Sequence, residues 1–331
     1  MELSIFFAGT GGSVPSRGRG LPAIVVQRGG ERLLFDCGEG TQRQLLRSIG
    51  LPDFERVFIT HFHADHWLGL PGMLKTFALR ERSAPLTVYG PPGLTALMDS
   101  VRPIFGRSLP YRLSFVEIES WGDVAFDGYK IASVPVQHGG REAYGYVLAE
   151  DDRPGEFDPA AAEALGVPSG PMFGLLQRGT SIEVDVGGSA REVRPDQVMG
   201  DPRPGRRIAI SGDTSPCEAL SVAAHGVRVL VHEATFMQED RDRARDTGHS
   251  TAHQAALIAH DAEAELLALT HISARYKPSD VLAQARESFE PVVAPRDFDT
   301  IEVPQHERGA PHVVTWEERR RREPVESIAT P

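Results

Sequence analysis

The sequence contains little cysteine and no long apolar run. Cys37 and Cys217 are the only cysteines among 331 residues, and each lies in or beside an apolar segment. Two isolated thiols argue against a disulfide framework and against a metal site built from several cysteines. No stretch reaches the roughly 18 apolar residues of a membrane span, and the first residues lack the basic segment and cleavage site of a secretory signal. We therefore expect an unexported, cytoplasmic protein without a membrane segment.

Basic charge is also scarce. The chain has 35 lysines and arginines against 46 aspartates and glutamates, which gives a formal net charge of -11. Phosphate binding usually leaves a basic footprint, so this balance argues weakly against a nucleic-acid partner. Carboxylates gathered at a metal site would account for part of the acidity.

Short apolar runs that alternate with helical patterns dominate the rest of the chain. Nine runs predict strands, at residues 3–9, 23–28, 32–36, 56–60, 86–90, 129–136, 207–211, 228–232 and 266–270. Their nearly continuous hydrophobicity is typical of strands that are covered on both faces. The β-rich first half and the α/β second half together predict an α/β fold with sheets packed between helical layers.

Two helices are indicated by their end signals. Thr41 in "GTQRQLLRSIG" has the character of an N-cap, with Gln44 as its capping-box partner and Gly50 as the stop. Pro71 suits the first turn of a second helix that runs to Leu79.

Two segments interrupt this alternation. Residues 151–206 are rich in proline and glycine and too long for an ordinary loop, which predicts a protruding inserted arm. After Pro304 the chain turns polar and ends in "WEERRRREPVESIATP". We therefore expect a main domain at 1–304 and a poorly ordered tail at 305–331.

Side chains of the metal-ligand type follow several of the predicted strands. The stretch "ITHFHADHWLG", at residues 59–69, places three histidines and an aspartate directly after an apolar run. Further candidates that end apolar runs are His138, Asp213, His232, Glu233 and His271. In layered α/β proteins reactive groups gather at the carboxyl ends of strands, where the backbone holds them rigidly.

The spacing of these residues suits two metal ions. His61 and His63 are two positions apart and point the same way in an extended turn, so they can bind one ion, whereas Asp65 and His66 can bind its neighbour. His138 completes the first site, His271 completes the second, and Asp213 suits the position between the ions. Imidazole and carboxylate ligands favour zinc, manganese or iron. Ions about 3.5 to 4 Å apart can share a hydroxide and neutralise charge in a phosphoryl displacement.

These residues also carry a family resemblance. The motifs "GTGG", "FDCGEGTQ", "THFHADH", "SGDT", "HEATF", "GHST" and "LTHISARY" resemble the metallo-β-lactamase superfamily and, within it, the ribonuclease Z family. The pair "HEATF" and "GHST" is the most discriminating, since the wider superfamily lacks it. The resemblance implies a four-layer αββα sandwich with an exosite-like arm and two zinc ions per subunit, with Mn²⁺ or Fe²⁺ as alternatives. It also implies a homodimer that cleaves precursor tRNA after the discriminator nucleotide and leaves a 3′-hydroxyl.

The resemblance assigns roles to individual positions. It places the same seven metal ligands in the same two groups as the spacing does, and it gives Asp65 the additional role of general base. Glu233 and His249 resemble the family's pair in which a carboxylate orients an imidazolium that protonates the departing 3′ oxygen.

The sequence departs from the family at two places that concern RNA contacts. In "PSRGRG", at residues 15–20, Arg17 stands where the family has lysine, Arg19 matches, and Gly20 replaces asparagine. The inserted arm contributes Arg178 but lacks the lysine cluster of the family's exosite. We expect fewer phosphate contacts from this arm, and therefore weaker and less salt-sensitive tRNA binding through it.

Two other function classes stay open on the residues alone. The same metal centre could hydrolyse small esters or phosphodiesters, as in arylsulfatase-type, cyclic phosphodiesterase-type or lactonase-type enzymes, and a closed pocket too small for RNA would favour that class. A metal-stabilised binding module without turnover is a third interpretation, which Asp65 disfavours because a purely structural site needs no open coordination position.

Overall fold

A computed structural model of the chain describes residues 1–106 and 108–322. The chain divides into two compact units. The first comprises Met1–Ala149 and the chain from Arg206 onward, and the second comprises Glu150–Gly205. The second unit has nearly the same bounds as the inserted arm expected at 151–206.

The strands of the first unit form two sheets. In chain order they are β1 (Leu3–Gly9), β2 (Ala23–Arg28), β3 (Glu31–Phe35), β4 (Arg56–Phe58), β5 (Leu86–Gly90), β6 (Leu113–Glu117), β7 (Asp123–Phe126), β8 (Tyr129–Pro135), β9 (Tyr144–Glu150), then, after β10 (Ile182–Val186) and β11 (Ser189–Val193) of the second unit, β12 (Arg207–Ile210), β13 (Val229–Glu233), β14 (Leu267–Thr270), β15 (Val292–Val293), β16 (Thr300–Glu302) and β17 (His312–Val314). One sheet has the order β17-β16-β1-β2-β3-β4-β5-β6, and the other has the order β15-β14-β13-β12-β9-β8-β7.

Helices occupy most of the connections between the strands. They are α1 (Thr41–Leu46), α2 (Ala64–Trp67), α3 (Gly69–Leu79), α4 (Leu94–Ser100), α5 (Arg102–Phe105), α6 (Pro159–Ala164), α7 (Pro171–Gln177), α8 (Glu218–Ala223), α9 (Arg241–Thr247), α10 (Ala252–Asp261), α11 (Pro278–Arg286) and α12 (Trp316–Arg322). Among the residues described, none of these helices has the length and hydropathy required to cross a membrane.

Three buried clusters define the layers of the first unit. Alternate residues of β1 illustrate the pattern, because Ile5 and Phe7 point into a cluster shared by both sheets whereas Phe6 and Ala8 point to the opposite face. That opposite cluster includes residues of α3, and a third cluster joins the second sheet to α8, α10 and α11. Helix, sheet, sheet and helix therefore stack in four layers, which confirms the predicted αββα sandwich.

All nine strands predicted from apolar runs are present, with ends that differ by one or two residues. The apolar pattern missed eight of the strands that the structure describes, among them the hairpin β10–β11 of the second unit and the two-residue β15. β6, β7, β16 and β17 are short or half-exposed at or near sheet edges, and β9 contains a glycine. Such strands carry too little continuous hydrophobicity to stand out from loops.

The predicted capping box at the start of α1 is wrong. The N-cap is Gly40, at φ 87°, and the Thr41 hydroxyl donates instead to the carbonyl of Gly38 at 2.8 Å. The Gln44 amide donates to Asp297 at 2.6 Å, a residue from near the other end of the chain. The helix ends at Leu46, where the Ser48 hydroxyl donates to the carbonyl of Gln44 at 2.7 Å.

The segment after Pro304 also differs from the expected poorly ordered tail. β17 pairs with β16 in the first sheet, so residues 312–314 belong to the fold. Trp316 packs against Phe298 with ring centroids 5.7 Å apart. The remainder of the predicted tail, from residue 323 on, lies outside the described residues.

The second unit has a small core of its own. β10 and β11 form a hairpin, and residues of this hairpin pack with α6 and α7 around a buried apolar cluster. Asp158 caps α6 by accepting a hydrogen bond from the amide of Ala161. The unit therefore contains the elements of a self-supporting module.

Candidate metal centre

The candidate ligands come from the ends of strands in both sheets. His61 lies three residues beyond β4 of the first sheet, and His138 follows β8 of the second. Asp213 follows β12, and His271 is the residue directly after β14. The first turn of α2 supplies Asp65 and, one residue on, His66. Rigid strands thus bring distant parts of the sequence to one place.

These side chains converge closely enough to hold metal. Among the described residues, two groups have donor atoms that all lie within 4.8 Å of one another inside the group, namely His61, His63, His138 and Asp213, and Asp65, His66 and His271. Asp213, His249 and His271 meet the same criterion as a third, overlapping group. Asp213 Oδ2 lies 3.2 Å from Nε2 of His66, 3.3 Å from Nε2 of His271 and 3.8 Å from Nε2 of His61. This oxygen therefore lies within reach of both groups.

Hydrogen bonds fix which nitrogen of each imidazole faces the centre. Asp36 accepts from His66 Nδ1 at 2.7 Å and from the Thr60 hydroxyl at 2.9 Å. Since the Thr60 proton is used there, Thr60 Oγ1 accepts from His61 Nδ1 at 3.0 Å. Both rings then carry their proton on Nδ1 and present an Nε2 lone pair to the centre.

Hydrogen-bond partners also fix the protonated nitrogens of His138 and His271, which follow strands of the second sheet. The carbonyl of Gly248 can only accept, so His138 Nδ1 donates to it at 2.7 Å. Thr235 donates its hydroxyl proton to Glu233 Oε2 at 2.5 Å, and its oxygen therefore accepts from His271 Nδ1 at 2.8 Å. These two rings likewise direct Nε2 lone pairs inward.

The resulting arrangement fits a divalent cation. Within the described residues His61 Nε2 is buried without a hydrogen-bond partner, and the Nε2 atoms of His66 and His271 approach to 3.4 Å. Imidazole nitrogens that face one another and two carboxylates are costly to bury unless a cation, either a proton on an imidazole or a metal ion, lies between them. The fold and these clusters indicate a divalent metal site, and nitrogen with oxygen donors is the set that zinc, manganese and iron bind.

Charges around the centre tie metal binding to proton release. Burial lowers the pKa of His66, but Asp213 and Asp36 outweigh burial and hold this pKa well above its ordinary value. Burial raises the pKa of Asp213, yet the surrounding imidazoles hold it well below its usual range. A cation that binds His66 must therefore displace a tightly held proton.

The loop between β1 and β2 closes one side of the centre. A Cβ added to Gly12 would lie 2.4 Å from His271 Nδ1, so only glycine fits there. The backbone N–H of Ser13 donates to Asp65 Oδ2 at 2.9 Å. This contact leaves Oδ1 of Asp65 for other partners.

Hydrogen bonds to Asp297 hold both ends of that loop. Its carboxylate accepts from the amide and hydroxyl of Thr10, from the amide of Gly20 and from the side chain of Gln44. The anchor joins the two ends of the loop to α1, and so fixes the loop that touches Asp65 and His271.

Glu233 and His249 form a buried pair beside the ligands. His249 Nδ1 donates to Glu233 Oε1 at 2.8 Å, and the amide of Thr214 donates to the same oxygen at 2.9 Å. Burial lowers the pKa of His249, but Glu233 and Asp213 outweigh it and raise the pKa to about 9. The ring also lines a cavity of about 230 Å³ together with Ser215 and Arg245. A protonated imidazole is therefore accessible from this cavity.

Other candidate residues lie elsewhere or are engaged. His232 is buried, and its Nδ1 donates to its neighbour's carbonyl, so it faces away from the two ligand groups. Arg19 donates from Nη1 to the Thr10 hydroxyl and the Pro295 carbonyl within the fold, and its contact with substrate stays a prediction. Arg17 is exposed beside this loop. Arg178 is exposed in the second compact unit.

Four supporting residues escaped the sequence reasoning, namely Asp36, Thr60, Thr235 and Asp297. Asp36 has the signal that identified the ligands, a carboxylate directly after an apolar strand. The two threonines stand next to motif residues, but only the three-dimensional distances reveal their hydrogen bonds. Asp297 carries no local signal at all.

A broad cavity is lined by Ile272, the residue directly after His271, and by residues 15–20 of the β1–β2 loop. None of the candidate metal ligands lines it. The cavity has a volume of about 910 Å³ and is also lined by Tyr276, Arg43 and Arg296.

Comparisons with known proteins agree with this geometry. A sequence model described as a β-lactamase superfamily domain matches residues 31–157. Ribonuclease Z of Myxococcus xanthus is 44% identical over 305 residues, which cover 91% of this chain and 98% of that protein. Ribonuclease Z of Haloferax volcanii is 44% identical over 310 residues, which cover 92% and 96% of the two chains.

A solved structure points the same way. The crystal structure of the short form of human tRNase Z superposes with a TM-score of 0.65 at 25% sequence identity and covers 91% of this chain and 99% of that one. The identity to the curated relatives extends over nearly their whole length, and the metal-binding motifs converge as the family resemblance implies. The chain belongs to the ribonuclease Z family.

Proposed function

We propose that this protein is a zinc-dependent endoribonuclease that removes the 3′ trailer from precursor tRNA and leaves a 3′-hydroxyl on the tRNA. The observation that carries the proposal is the 44% identity to ribonuclease Z over 98% of the relative's length. The converging His/Asp clusters supply the metal-binding chemistry that such a nuclease needs.

Two zinc ions per subunit fit the donor atoms. His61, His63 and His138 would hold one ion, Asp65, His66 and His271 would hold the other, and Asp213 would contact both. Mn²⁺ or Fe²⁺ would suit the same nitrogen and oxygen donors. When bound, such a pair of cations lowers the pKa of water and neutralises the charge that develops on the phosphate.

Three side chains have proposed roles in the reaction. The Ser13 amide holds Asp65 through Oδ2, so Oδ1 is placed to take a proton from the attacking water. Glu233 orients His249 through the 2.8 Å hydrogen bond and keeps it protonated. His249 can then donate a proton to the departing 3′ oxygen, which would otherwise leave as a poor alkoxide.

The space around the centre supports a polymeric substrate. The neighbouring cavity, of about 910 Å³, is wide and its wall carries several arginines. A hydrolase of small esters or phosphodiesters would be expected to enclose its substrate in a smaller, more apolar pocket. The arginines of this wall suit a polyanionic substrate better than a small ester.

Homodimeric assembly and a cytoplasmic location are part of the same proposal. The homodimer is what the family resemblance implies, and the cytoplasmic location rests on the scarcity of cysteine and of long apolar runs.

The substitution Asp65→Ala tests the proposed mechanism. We expect it to reduce cleavage of a precursor tRNA by at least about 10³-fold, because it removes both a metal ligand and the proton acceptor. The measurement is the single-turnover rate with end-labelled precursor, with mapping of the product ends. Cleavage at the wild-type rate would refute the role of Asp65, and wild-type protein that leaves precursor tRNA intact but hydrolyses bis(p-nitrophenyl) phosphate would favour the small-substrate alternative.

A further inference from the structure

The broad cavity lined by Ile272 has the opposite charge balance from the chain as a whole. Five arginines line it, namely Arg17, Arg19, Arg43, Arg47 and Arg296, against two carboxylates, Glu39 and Asp297. The whole chain carries 46 acidic and 35 basic residues. Basic charge is therefore concentrated at this wall, which we call the arginine basin.

Most of the arginines in the basin have free guanidinium groups. Arg17, Arg43 and Arg296 are exposed, and within the described part of the chain none of them forms an ion pair or a side-chain hydrogen bond. Arg47 lies over the ring of Phe298 at 5.9 Å. Exposed, unpaired arginines at a concave wall are available to bind phosphate oxygens.

The carboxylates of the basin offset little of this charge. Asp297 uses its oxygens to accept four hydrogen bonds from Thr10, Gly20 and Gln44, and it faces the Arg19 side of the loop. Glu39 is exposed at the margin of the cavity. The field inside the basin is therefore set by the arginines.

The inserted arm does not offer a comparable surface. Residues 150–205 contain eleven carboxylates and only five arginines, and no lysine. A surface with that balance repels an RNA backbone more than it attracts it. RNA binding by this chain therefore needs a second basic surface.

We propose that the arginine basin binds the phosphates of the RNA strand that adjoins the scissile bond, with Arg43 of α1, Arg47 at the C-cap of α1 and Arg296 as the phosphate contacts. Arg43 and Arg47 are one helical turn apart, so their side chains lie on one face of α1. The Phe298 ring beneath Arg47 adds a surface on which a guanidinium or a base can stack. The inference rests on the proposed function for the identity of the substrate.

The test is the double substitution Arg43→Gln and Arg47→Gln in the full-length, metal-loaded protein. Binding of a precursor tRNA is measured at several salt concentrations, together with kcat and KM for its cleavage. The matched control is Arg80→Gln with Arg112→Gln, two exposed arginines away from the basin. Thermal unfolding and metal content establish that each variant folds.

We expect the basin variant to bind precursor tRNA at least about tenfold more weakly and to reduce the slope of log K against log salt by about 1.4 to 1.8. KM should rise far more than kcat falls, and the control should match wild type. Arg296→Gln, on a separate segment, should reduce the slope by about 1. Basin variants that keep wild-type affinity and salt slope would overturn the inference. If the wild-type protein does not cleave the precursor at all, that result counts against the proposed function, and the comparison of binding between the variants still holds.

Discussion

At the scale of single residues, the metal centre depends on a layer of partners behind the ligands. Asp36 accepts from His66 and from both polar groups of Thr60, and so sets the orientation of two imidazoles. Thr235 does the same for His271 while it also donates to Glu233. Partners of this kind fix the tautomer that leaves Nε2 free for metal.

The substitution Asp36→Asn tests this layer. Asparagine tolerates the positive φ of 58° at this position, so the backbone should be retained. Its amide has one acceptor fewer, so we expect metal affinity to fall about 10- to 100-fold. A titration with a competing chelator measures the affinity, and Asp53→Asn, at an exposed aspartate, is the control. Unchanged affinity would show that Asp36 does not set the ligand tautomers.

A pH profile tests His249. Its folded-state pKa is raised above the ordinary value to about 9, so the imidazolium is present at low pH and is lost as pH rises through that value. Bound cations would lower the value, so kcat should fall on the alkaline side at or below about pH 9. His249→Ala should lower kcat by about 10²- to 10⁴-fold and remove this limb. If kcat of the His249→Ala variant still falls on the alkaline side, that fall belongs to another titrating group.

The candidate ligands could be predicted from sequence because they follow apolar strands in a dense pattern. His61, His63 and His66 stand within six positions, and Asp213 and His271 each follow a strand of the same kind. Their supporting partners could not be identified, because a threonine hydroxyl or a backbone carbonyl has no distinctive spacing. The motif match predicts a substrate contact for Arg19, but it does not reveal the hydrogen bonds that this side chain donates to Thr10 and Pro295.

At the scale of elements, the loop between β1 and β2 links the metal centre to the arginine basin. Gly12 and Ser13 touch the ligands, whereas residues 15–20 line the basin. Asp297 holds both ends of the loop, so one half-buried carboxylate positions both surfaces.

The substitution Asp297→Asn should loosen this element. It places an amide donor against the donors of Gly20 and Gln44, and we expect unfolding free energy to fall by about 1–3 kcal/mol. Cleavage should slow as well, because Ser13 no longer holds Asp65 in place. Urea unfolding and single-turnover rates measure the two effects. Loss of stability with full activity would show that Asp297 supports the fold alone.

Local signals predicted the elements of the core but not those held by distant contacts. α1 begins where it was expected, yet its supposed capping residue Gln44 binds Asp297, more than 250 positions away in sequence. β17 is three residues long and precedes a run of charged residues, so its composition favoured a tail although pairing with β16 orders it. Tertiary hydrogen bonding decided both cases.

At the scale of the whole molecule, the inserted arm is acidic whereas the arginine basin is basic. Because the arm is acidic, we expect its removal to cost little of the salt-dependent affinity for RNA. A deletion of most of the arm can start at Asp158 and end at Val198, because these two residues are adjacent: the amide of Asp158 donates to the carbonyl of Val198 at 2.8 Å. Residues 158–198 can therefore be replaced by two glycines.

We expect this deletion to weaken binding of precursor tRNA by less than about tenfold and to change the salt slope by less than about 1. Hydrolysis of bis(p-nitrophenyl) phosphate should be retained, because every candidate metal ligand lies in the first unit. A deletion variant with a greatly reduced salt slope would place the phosphate contacts on the arm. Loss of both activities would show that the arm is needed for folding.

The most direct test of the account joins metal content to cleavage in one preparation. Purified protein is analysed for transition metals, stripped with a chelator, and reloaded with zinc in steps while cleavage of a precursor tRNA is followed. The account predicts two equivalents of transition metal per chain, loss of cleavage on stripping, recovery on reloading, and a product with a 3′-hydroxyl after the discriminator nucleotide. Cleavage that survives complete removal of metal, or active protein that contains no transition metal, would contradict it.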